Sequence, residues 1–508
     1  MGDVLVAERA VALAVLGEIE IDQRNPLALD VAPDVELGPV QQRMDAQMRA
    51  RCEIGLELVP EFGGLVAHVP FGVLAARAHP RHGSHRVGQV HLPLRVPLGD
   101  QLRHQAHHHT HDVTRDHHVV VIGAGVAGAA CARTLAERGW HVEVMDTSAE
   151  PAQAASSVPV GILSCHVSPD DNPLSQLTRK GLELTLRYLQ QHLKQGEDWS
   201  PVGVLERRWA EQPHAKKPWV HDEPDSPWQG FVSRAPLELL EQAGLPIEPS
   251  QDLWQPKGAW VKPQAFVRSL LSHPNITFSG QHEIDSLSYE TENAEWVLRI
   301  KHHIHIPNMG SSYTFTTSST PMVVIATGAD TPEMLYNWLQ ADDRGMHPIA
   351  GQVTWGLQDP ALPSALPPFA VNGHGSFVAH VPTASGKAWF TGATFERHQF
   401  MVQNQAQGHQ DNLNRLSQLL PKAHAAVAST HPAHAPFQSW TGVRCATLNR
   451  LPKLGSLNLE KKPGLFLCAG LGSRGLTTGL LCAEVVANQM EGRSQTLTAS
   501  MIQAMRGT

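Results

Sequence analysis

Residues 118–146 read HVVVIGAGVAGAACARTLAERGWHVEVMD, and this stretch decides the fold of the chain. It predicts a buried strand, a turn with the spacing Gly123-x-Gly125-x-x-Gly128, an Ala-rich helix, and a second strand that ends at Asp146. The first glycine permits a tight turn, the second admits a pyrophosphate close to the backbone, and the third lets helix and strand pack closely. The pattern therefore predicts a dinucleotide-binding βαβ unit.

The expected ligand contacts of this unit lie at the N-terminus of its helix. Free N–H groups and the positive end of the helix dipole favour phosphate there, and Asp146 is placed to accept hydrogen bonds from a ribose diol. A plain Gly-rich turn is the alternative, but the strand, helix and acid all stand where a nucleotide site requires them. The predicted contacts in the turn are Gly123, Ala124, Gly125, Val126, Ala127 and Gly128.

The composition indicates a globular enzyme of two or three domains, since 508 residues suffice for a large core. The net charge of −8 gives no sign of a nucleic-acid partner, although a local basic face stays possible. Six cysteines are scattered without CxxC pairs, which favours small buried thiols in a reducing compartment. No apolar run reaches transmembrane length and no secretory signal opens the chain, so we expect a soluble cytoplasmic protein without a membrane partner.

Residues 1–117 differ sharply from the remainder because they contain no Lys, Trp or Tyr. We predict a poorly structured N-terminal extension there. It ends in the polar tract HQAHHHTHDVTRDHH, residues 104–118, whose histidines are potential metal ligands. Because no spaced partners accompany them on a framework, a solvated tail is the favoured interpretation, and we predict no metal site.

Residues 118–508 are predicted to form an α/β fold, with a Rossmann-type nucleotide-binding domain and an inserted sheet-rich (α+β) substrate domain. The segment PMVVIATGAD, residues 321–330, predicts a short strand whose end, Thr327-Gly328, abuts the cofactor. Helical patterns lie at 173–195 and 262–273. We assign the nucleotide-binding subdomain to about residues 118–165, 255–275, 320–350 and 440–492, and the substrate subdomain to the intervening segments.

A second Gly-rich loop decides the cofactor class. It lies in GLFLCAGLGSRGLTTGLLCAEVVANQMEG, residues 464–492, which predicts a strand, a loop and an apolar helix. A two-domain flavoprotein needs a second helix N-terminus aimed at the flavin, where the dipole stabilises negative charge on the reduced ring. A Gly-rich turn before a C-terminal helix is the alternative, and the first loop makes FAD preferable to NAD. The predicted contacts are Gly472, Ser473, Arg474, Gly475, Leu476 and Thr477.

One arginine is the candidate substrate ligand. Arg444 lies in WTGVRCATLNRLPKLG, residues 440–455, on an expected substrate-domain strand that covers the flavin. A guanidinium there is suited to bidentate binding of a carboxylate. A structural ion pair is the alternative.

Residues 118–492 resemble the D-amino-acid-oxidase-like FAD oxidoreductases, the family of glycine oxidase and sarcosine oxidase. Within that family they are most similar to the oxidoreductase half of bacterial bifunctional proteins that modify the wobble uridine of tRNA. The segments that carry the resemblance are VIGAGVAGAACA (121–132), GAWVKP (258–263), Gly351-Gln352-Val353, GATFER (392–397), GVRCATLNRLPKLG (442–455) and AGLGSRGLTTGLLCAE (469–484).

The resemblance implies a noncovalent FAD and a tRNA substrate. It implies oxidation of the secondary amine of 5-carboxymethylaminomethyl-(2-thio)uridine, with the 5-aminomethyl uridine and glyoxylate as products. Arg444 corresponds by similarity to the arginine that holds the substrate carboxylate. Molecular oxygen would reoxidise the flavin. Such chemistry needs an oriented C–H bond, a neutral amine and a dry site, but no dedicated general base.

Three places depart from the family pattern. A usual Ser-Gly-Asn-x-x-Gly reads Ser156-Ser157-Val158-Pro159-Val160-Gly161, a usual acid is Asn449, and a usual Tyr is Phe377. These departures bear on the flavin contacts and the substrate pocket. Residues 1–117 are too short for the methyltransferase half of the bifunctional proteins, so we expect a stand-alone oxidoreductase.

Two other functions stay open at this point. A free glycine, D-amino-acid or sarcosine-type oxidase would share the fold, and a non-catalytic flavin-fold scaffold would share the loops. A positive groove leading to the flavin would favour the tRNA enzyme, but a sequence does not display one.

Overall fold

The computed structural model of the protein describes residues 117–208, 226–248, 250–306, 310–359, 365–430, 437–457, 459 and 462–506. The predicted N-terminal extension, up to residue 116, and all but the last two histidines of its polar tract lie outside these residues, so those predictions stay predictions.

The described part alternates strands and helices. In chain order the strands β1 to β21 are His118–Ile122, His141–Met145, Gly161–Leu163, Trp199–Ser200, Val204–Glu206, Ser233–Arg234, Leu253–Gln255, Ala259–Val261, Ile276–Ser279, Glu283–Glu290, Glu295–Ile306, Gly310–Thr320, Val323–Ile325, Met346–Leu357, Ala370–Gly373, Gly375–Thr383, Gly386–Gly392, Glu396–Arg397, Gln438–Thr447, Lys453–Ser456 and Leu465–Ala469. The helices α1 to α9 are Val126–Glu137, Pro173–His192, Leu237–Gln242, Pro263–Leu271, Thr331–Leu339, Gln405–Leu419, Pro421–Thr430, Gly475–Met490 and Ala499–Met505. Short 3₁₀ turns lie at Ala155–Ser157, Gly328–Asp330 and Gly472–Arg474.

A six-stranded sheet forms the nucleotide-binding half, with the order β20-β21-β13-β1-β2-β9. Its strands run parallel except β20, which pairs antiparallel with β21 at one edge. The run HVVVI in β1 is apolar along its length because both faces of this sheet are covered. Val119 and Val121 pack with α1 and α8, whereas Val120 and Ile122 pack with the meander β10-β11-β12.

A larger sheet forms the other half. Its order is β18-β14-β17-β16-β15-β5-β7-β6, and β19 pairs antiparallel with β14. One face packs on α6 and α7 through Phe377, Trp389 and Leu416. The opposite face carries a second apolar cluster that includes Val378 and Phe390, and it is the face that lines the cavity described below. A small sheet, β3-β8-β4, completes the fold.

The predicted fold class is confirmed, because a Rossmann-type parallel sheet is combined with an antiparallel, sheet-rich part. The predicted subdomain boundaries do not follow the sheets everywhere. Residues 346–350 and 440–447, placed with the nucleotide-binding segments, belong to β14 and β19 of the larger sheet, and β9, just beyond residue 275, belongs to the parallel sheet. These differences arise because strand pairing partners are distant in sequence.

Candidate active site

A cavity of about 790 Å³ lies at the carboxyl ends of the parallel strands. Open α/β sheets bind ligands at this edge. Its walls include both Gly-rich loops, the ends of β2 and β13, and the inner face of the larger sheet. The cavity therefore brings together segments that the sequence assigned to cofactor and to substrate.

At two positions of the first loop, the backbone leaves room for glycine alone. Gly123 has a φ of +105°, and a Cβ there would lie 2.5 Å from the Ala326 carbonyl oxygen. A Cβ at Gly128 would lie 1.8 Å from the Gly123 carbonyl oxygen. Gly125 differs, because it lines the cavity and its nearest neighbour would be Ser156 Oγ at 3.2 Å. Gly123 and Gly128 hold strand and helix together, and Gly125 leaves the backbone open to a ligand.

Asp146 is fixed by the backbone around it. Its Oδ2 accepts a hydrogen bond from Ala124 N at 2.7 Å, and its Oδ1 accepts one from Ser148 N at 2.8 Å. The carboxylate lines the cavity with one anchored bond on each oxygen, which leaves further lone pairs for a diol. Ala124 and Gly128 are the two predicted contacts of this loop that lie behind the cavity wall.

Two serines that were not among the predicted site residues support this loop. Ser156 Oγ accepts a hydrogen bond from Val126 N, at the first turn of α1, at 3.0 Å. Ser157 Oγ accepts one from Trp440 Nε1 on β19 at 2.8 Å. Ser156, which matches the family pattern, thus binds the N-terminus of α1, and Ser157, which departs from it, binds the larger sheet. A Ser-Ser pair after the second strand was the available sequence signal, but its partners lie far away along the chain.

The second loop enters the cavity between β21 and α8. Gly470 and Gly472 have φ angles of +71° and +59°, which turn the chain into the 3₁₀ turn before α8. All of its predicted contacts, Gly472 to Thr477, line the cavity, as do Thr327 and Gly328 at the end of β13. Burial lowers the pKa of the Arg474 guanidinium, and the negative charge of Glu206 opposes that shift.

Arg444 lies on β19 and lines the same cavity, opposite Ile349 of β14. Its guanidinium stacks on the Phe395 ring, with 4.6 Å from Cζ to the ring centroid. Gly351 makes room for it, because a Cβ there would lie 2.9 Å from Arg444 Nη2. Phe395 and Gly351 were not among the predicted site residues, although both fall in segments that carry the family resemblance.

The Arg444 guanidinium has no neutralising partner in the part of the chain that the structure describes. Its Nη2 atom is buried without a hydrogen-bond partner, and burial lowers the pKa of the guanidinium to about 10. A structural ion pair would instead show a carboxylate beside it. The alternative of a structural ion pair therefore finds no support among the described residues.

The other two departures do not reach the cavity. Phe377 is fully buried among Trp389 and Leu416 on the helix-covered face of the larger sheet. Asn449 closes a turn, where its Oδ1 accepts hydrogen bonds from Leu451 N and Thr447 Oγ1. The expectation that these two positions alter the substrate pocket is wrong, because both side chains act within the scaffold.

Two cysteines, Cys445 and Cys468, line the cavity. Burial raises the pKa of the Cys445 thiol, which lines the cavity, to about 11, so it is protonated at neutral pH. Within the described ranges no cluster of three or more His, Cys, Asp or Glu side chains could hold a metal ion. No helix of the described residues is long and apolar enough to span a membrane.

The family model described as FAD dependent oxidoreductase matches residues 118–489. The protein belongs to this family. The resemblance inferred from the sequence is thereby confirmed, and FAD is the cofactor of this oxidoreductase. The cavity suits such a group, because Gly125 and Gly472 present backbone to it without a side chain, and Asp146 is anchored beside the first loop.

Curated relatives are larger than the matched region. The tRNA 5-methylaminomethyl-2-thiouridine biosynthesis bifunctional protein MnmC of Paracidovorax citrulli is 39% identical over 395 residues, which cover 76% of this chain and 59% of that protein. The protein of the same name from Polaromonas naphthalenivorans is 36% identical over 378 residues, covering 73% of this chain and 56% of the relative. The chain thus spans less than two thirds of the length of these relatives.

Solved structures share the fold at lower identity. Glycine oxidase from Geobacillus kaustophilus superposes with a TM-score of 0.58 at 21% identity, covering 76% of this chain and 98% of that chain. Iminodiacetate oxidase from Chelativorans sp. BNC1 gives a TM-score of 0.56 at 20% identity, with coverage of 76% and 98%. These likenesses establish the architecture alone.

Proposed function

We propose that the protein oxidises the secondary amine of 5-carboxymethylaminomethyl-(2-thio)uridine at the wobble position of tRNA, in the cytoplasm where tRNA is modified. The products are 5-aminomethyl-(2-thio)uridine and glyoxylate. Two findings support this function: the MnmC relatives at 36–39% identity, and the guanidinium of Arg444 in the cavity of an FAD oxidoreductase, whose buried Nη2 has no hydrogen-bond partner among the described residues.

The state of Arg444 is the single observation that carries the proposal. A buried charge without a counter-ion is costly, and it is stabilised when a ligand supplies the missing charge. A guanidinium presents two parallel N–H donors that match the two oxygens of a carboxylate. The carboxymethyl group of the substrate carries such a carboxylate, bonded directly to the methylene whose C–H bond must react. Arg444 thereby acts as the substrate-binding catalytic residue.

The flavin contacts that we propose follow from the walls of the cavity. Gly125, Val126 and Ala127, at the N-terminus of α1, would hold the pyrophosphate, and Asp146 would bind the ribose diol. The second loop, Gly472 to Thr477, with Thr327 and Gly328, would hold the isoalloxazine ring, and the N-terminus of α8 would supply its positive dipole end. When bound, the flavin supplies an acceptor for the hydride that leaves the carbon next to the amine.

The reaction balances without a general base from the protein. The substrate loses one C–H and one N–H hydrogen with two electrons, and the resulting C=N bond is hydrolysed by water. The aminomethyl uridine keeps the nitrogen, and the former methylene leaves as the aldehyde of glyoxylate. Molecular oxygen accepts the two electrons and two protons as hydrogen peroxide. The protein's part is to grip the carboxylate, orient the C–H bond and exclude bulk water.

Product analysis tests the proposal. Purified FAD-loaded protein is incubated with tRNA that carries 5-carboxymethylaminomethyl-2-thiouridine, and the digested nucleosides and trapped glyoxylate are quantified by mass spectrometry. We expect equal amounts of 5-aminomethyl-2-thiouridine and glyoxylate, and neither from tRNA that lacks the modification. The same carboxylate grip could hold free glycine or sarcosine. Unchanged tRNA together with rapid turnover of these amino acids would replace our proposal by a free amino-acid oxidase, and no turnover of any amine would favour a scaffold.

A further inference from the structure

Two phenylalanines stand at the open end of the cavity. Phe395 and Phe400 both line it, yet 54% and 61% of their side chains are exposed. A neighbouring apolar side chain, Met401, is also 54% exposed. We call Phe395 and Phe400 the aromatic rim. Side chains that are both cavity-lining and more than half exposed mark the mouth, and the contact of Phe395 with Arg444 places this mouth at the substrate end.

The segment that carries the aromatic rim is held in place from several sides. Strand β18, Glu396–Arg397, pairs with β14, and His398 N donates a hydrogen bond to Pro348 O at 2.8 Å. Arg415 Nη1 donates to Ala393 O at 2.6 Å, and Glu396 accepts from Gln403 N at 3.0 Å. The two rings are therefore presented to solvent by an ordered segment, which lowers the entropic cost of binding a partner on them.

We propose that the aromatic rim is a stacking platform for unpaired bases of the tRNA loop that delivers the modified uridine; this inference rests on the proposed function. Flat aromatic faces bind splayed-out bases of single-stranded RNA regardless of their identity. Because Phe395 stacks on Arg444, a uridine held at the rim lies beside the guanidinium that binds the carboxylate of its 5-substituent. The exposed cation Arg397 lies between the two rings in sequence and favours contact with phosphates.

The open, aromatic mouth distinguishes a base from a free amino acid as its occupant. A small amino acid held at Arg444 has no flat face to stack on the rings of the aromatic rim. A nucleotide loop gains stacking on the rings while one base substituent alone enters. In this proposal the RNA binds at the mouth of the cavity, and the reacting group binds at Arg444.

The test separates stacking from charge by using three variants of the FAD-loaded full-length protein. Phe400→Leu and Phe395→Leu keep an apolar side chain but remove the flat face, and Arg397→Gln removes a cation. Tyr336→Leu is the matched control, because Tyr336 on α5 is 51% exposed and does not line the cavity. Affinity for the modified anticodon stem-loop is measured by fluorescence anisotropy over a range of salt concentrations, together with KM and kcat on tRNA.

We expect Phe400→Leu to weaken RNA binding and raise KM roughly tenfold at every salt concentration, with kcat little changed. Arg397→Gln should instead lower the slope of log affinity against log salt by about 0.7–0.9. Tyr336→Leu should match the wild type. If the wild type converts tRNA but both phenylalanine variants bind RNA normally, the platform is wrong and the proposed function stands. If the wild type neither binds nor converts tRNA, both are wrong.

Discussion

The two ends of the cavity are built in different ways. The cofactor end is shaped by backbone: glycines at fixed spacing, helix N-termini, and an aspartate whose oxygens are anchored by two N–H groups. The substrate end is shaped by side chains from strands that are distant in sequence, and its central cation, Arg444, has a buried nitrogen without a hydrogen-bond partner in the part of the chain that the structure describes. The backbone groups of the first end are anchored by protein contacts, whereas in the proposed function the second end is completed by the substrate.

This difference teaches where specificity resides in such a site. A backbone cradle accepts a common cofactor in any member of the fold, because it recognises phosphate and ribose. In the proposed function, a buried guanidinium selects the substrate, because it is stabilised by a group that supplies a carboxylate in the right place. Substitutions in the first loop, at Arg444 and at the hydrogen bond between the two ends therefore have separate expected effects.

The largest effect is expected at the cofactor end. Gly125→Val places a branched side chain on the cavity-facing backbone, where the pyrophosphate must approach, and should abolish FAD retention while the fold is kept. The measurement is the flavin-to-protein absorbance ratio, with circular dichroism for the fold. Gly125→Ala is the graded control. Its Cβ would lie 3.2 Å from Ser156 Oγ, so that the serine has to shift by only a few tenths of an ångström. Retention of FAD by the Gly125→Val protein would contradict the idea that exposed backbone shapes the cofactor end.

The next effect is expected at the substrate end. Arg444→Lys keeps the charge but loses the two-point grip, and a small misplacement of the reacting carbon lowers the rate by about a hundredfold. We expect that loss in kcat/KM on 5-carboxymethylaminomethyl-uridine tRNA, with FAD retained. 5-methylaminomethyl-uridine tRNA, which lacks the carboxylate, should be a poor substrate for the wild type and little affected by the substitution. Equal losses on both substrates would assign Arg444 to the scaffold.

The same position also gives a stability prediction of opposite sign. Arg444→Met removes a buried charge without a partner, so the free energy of unfolding should stay level or rise by about 1 kcal/mol while activity is lost. Arg415→Met is the matched control, because Arg415 Nη1 already donates to Ala393 O and its loss should destabilise. Chemical denaturation of the FAD-loaded variants measures both. Destabilisation of both variants alike would mean that Arg444 has a structural partner.

The same contrast explains what the sequence could predict. The cofactor loops were predictable because Gly123, Gly125 and Gly128 act within one turn and its adjoining helix. Arg444 was predictable as a residue type within a family motif, but its surroundings were not. Its contacts with Gly351 and Phe395 depend on the pairing of β14 with β19 across about ninety residues, and such a register is not encoded in any local spacing.

The departures from the family pattern also show that local sequence does not reveal strand register. Ser157 was a mismatch in the sequence, yet it accepts the indole hydrogen bond of Trp440. Phe377 was a mismatch in the sequence as well, and it lies on the face of its sheet that packs on helices. Since neighbouring residues of a strand point to opposite faces, Ser376 and Val378 line the cavity and Phe377 does not. A motif position without its strand register does not show which face its side chain occupies.

A moderate effect is expected at alkaline pH on the substrate strand. Burial raises the pKa of Cys445 to about 11, above its ordinary value near 9. Above pH 9 the unfolded chain therefore releases a proton that the folded protein keeps, so the free energy of unfolding falls as pH rises. Between pH 8 and 10.5 the wild type should lose about 1–2 kcal/mol more than Cys445→Ala. Urea unfolding at both pH values measures this, and identical slopes would contradict it.

The smallest effect concerns the contact that joins the two ends. Trp440, on the substrate-side strand, donates its indole hydrogen bond at 2.8 Å to Ser157, whose neighbour Ser156 accepts from the N-terminus of α1. Trp440→Phe and Ser157→Ala each remove one partner. A double-mutant cycle should give a coupling of about 1 kcal/mol in the free energy of unfolding, because a single neutral hydrogen bond contributes that much.

The same cycle decides whether the ends are coupled in function. If this bond positions the first loop, each single variant should also weaken FAD binding several-fold, and the double variant no further. Trp338→Phe is the matched control, because its indole donates to Asp285 O away from the cavity, so its effect should add to that of Ser157→Ala. Additive effects for Trp440→Phe as well would mean that the cofactor end and the substrate end are independent. Coupled effects would mean that the strand carrying Arg444 and the loop facing the cofactor are held in register by one side-chain hydrogen bond.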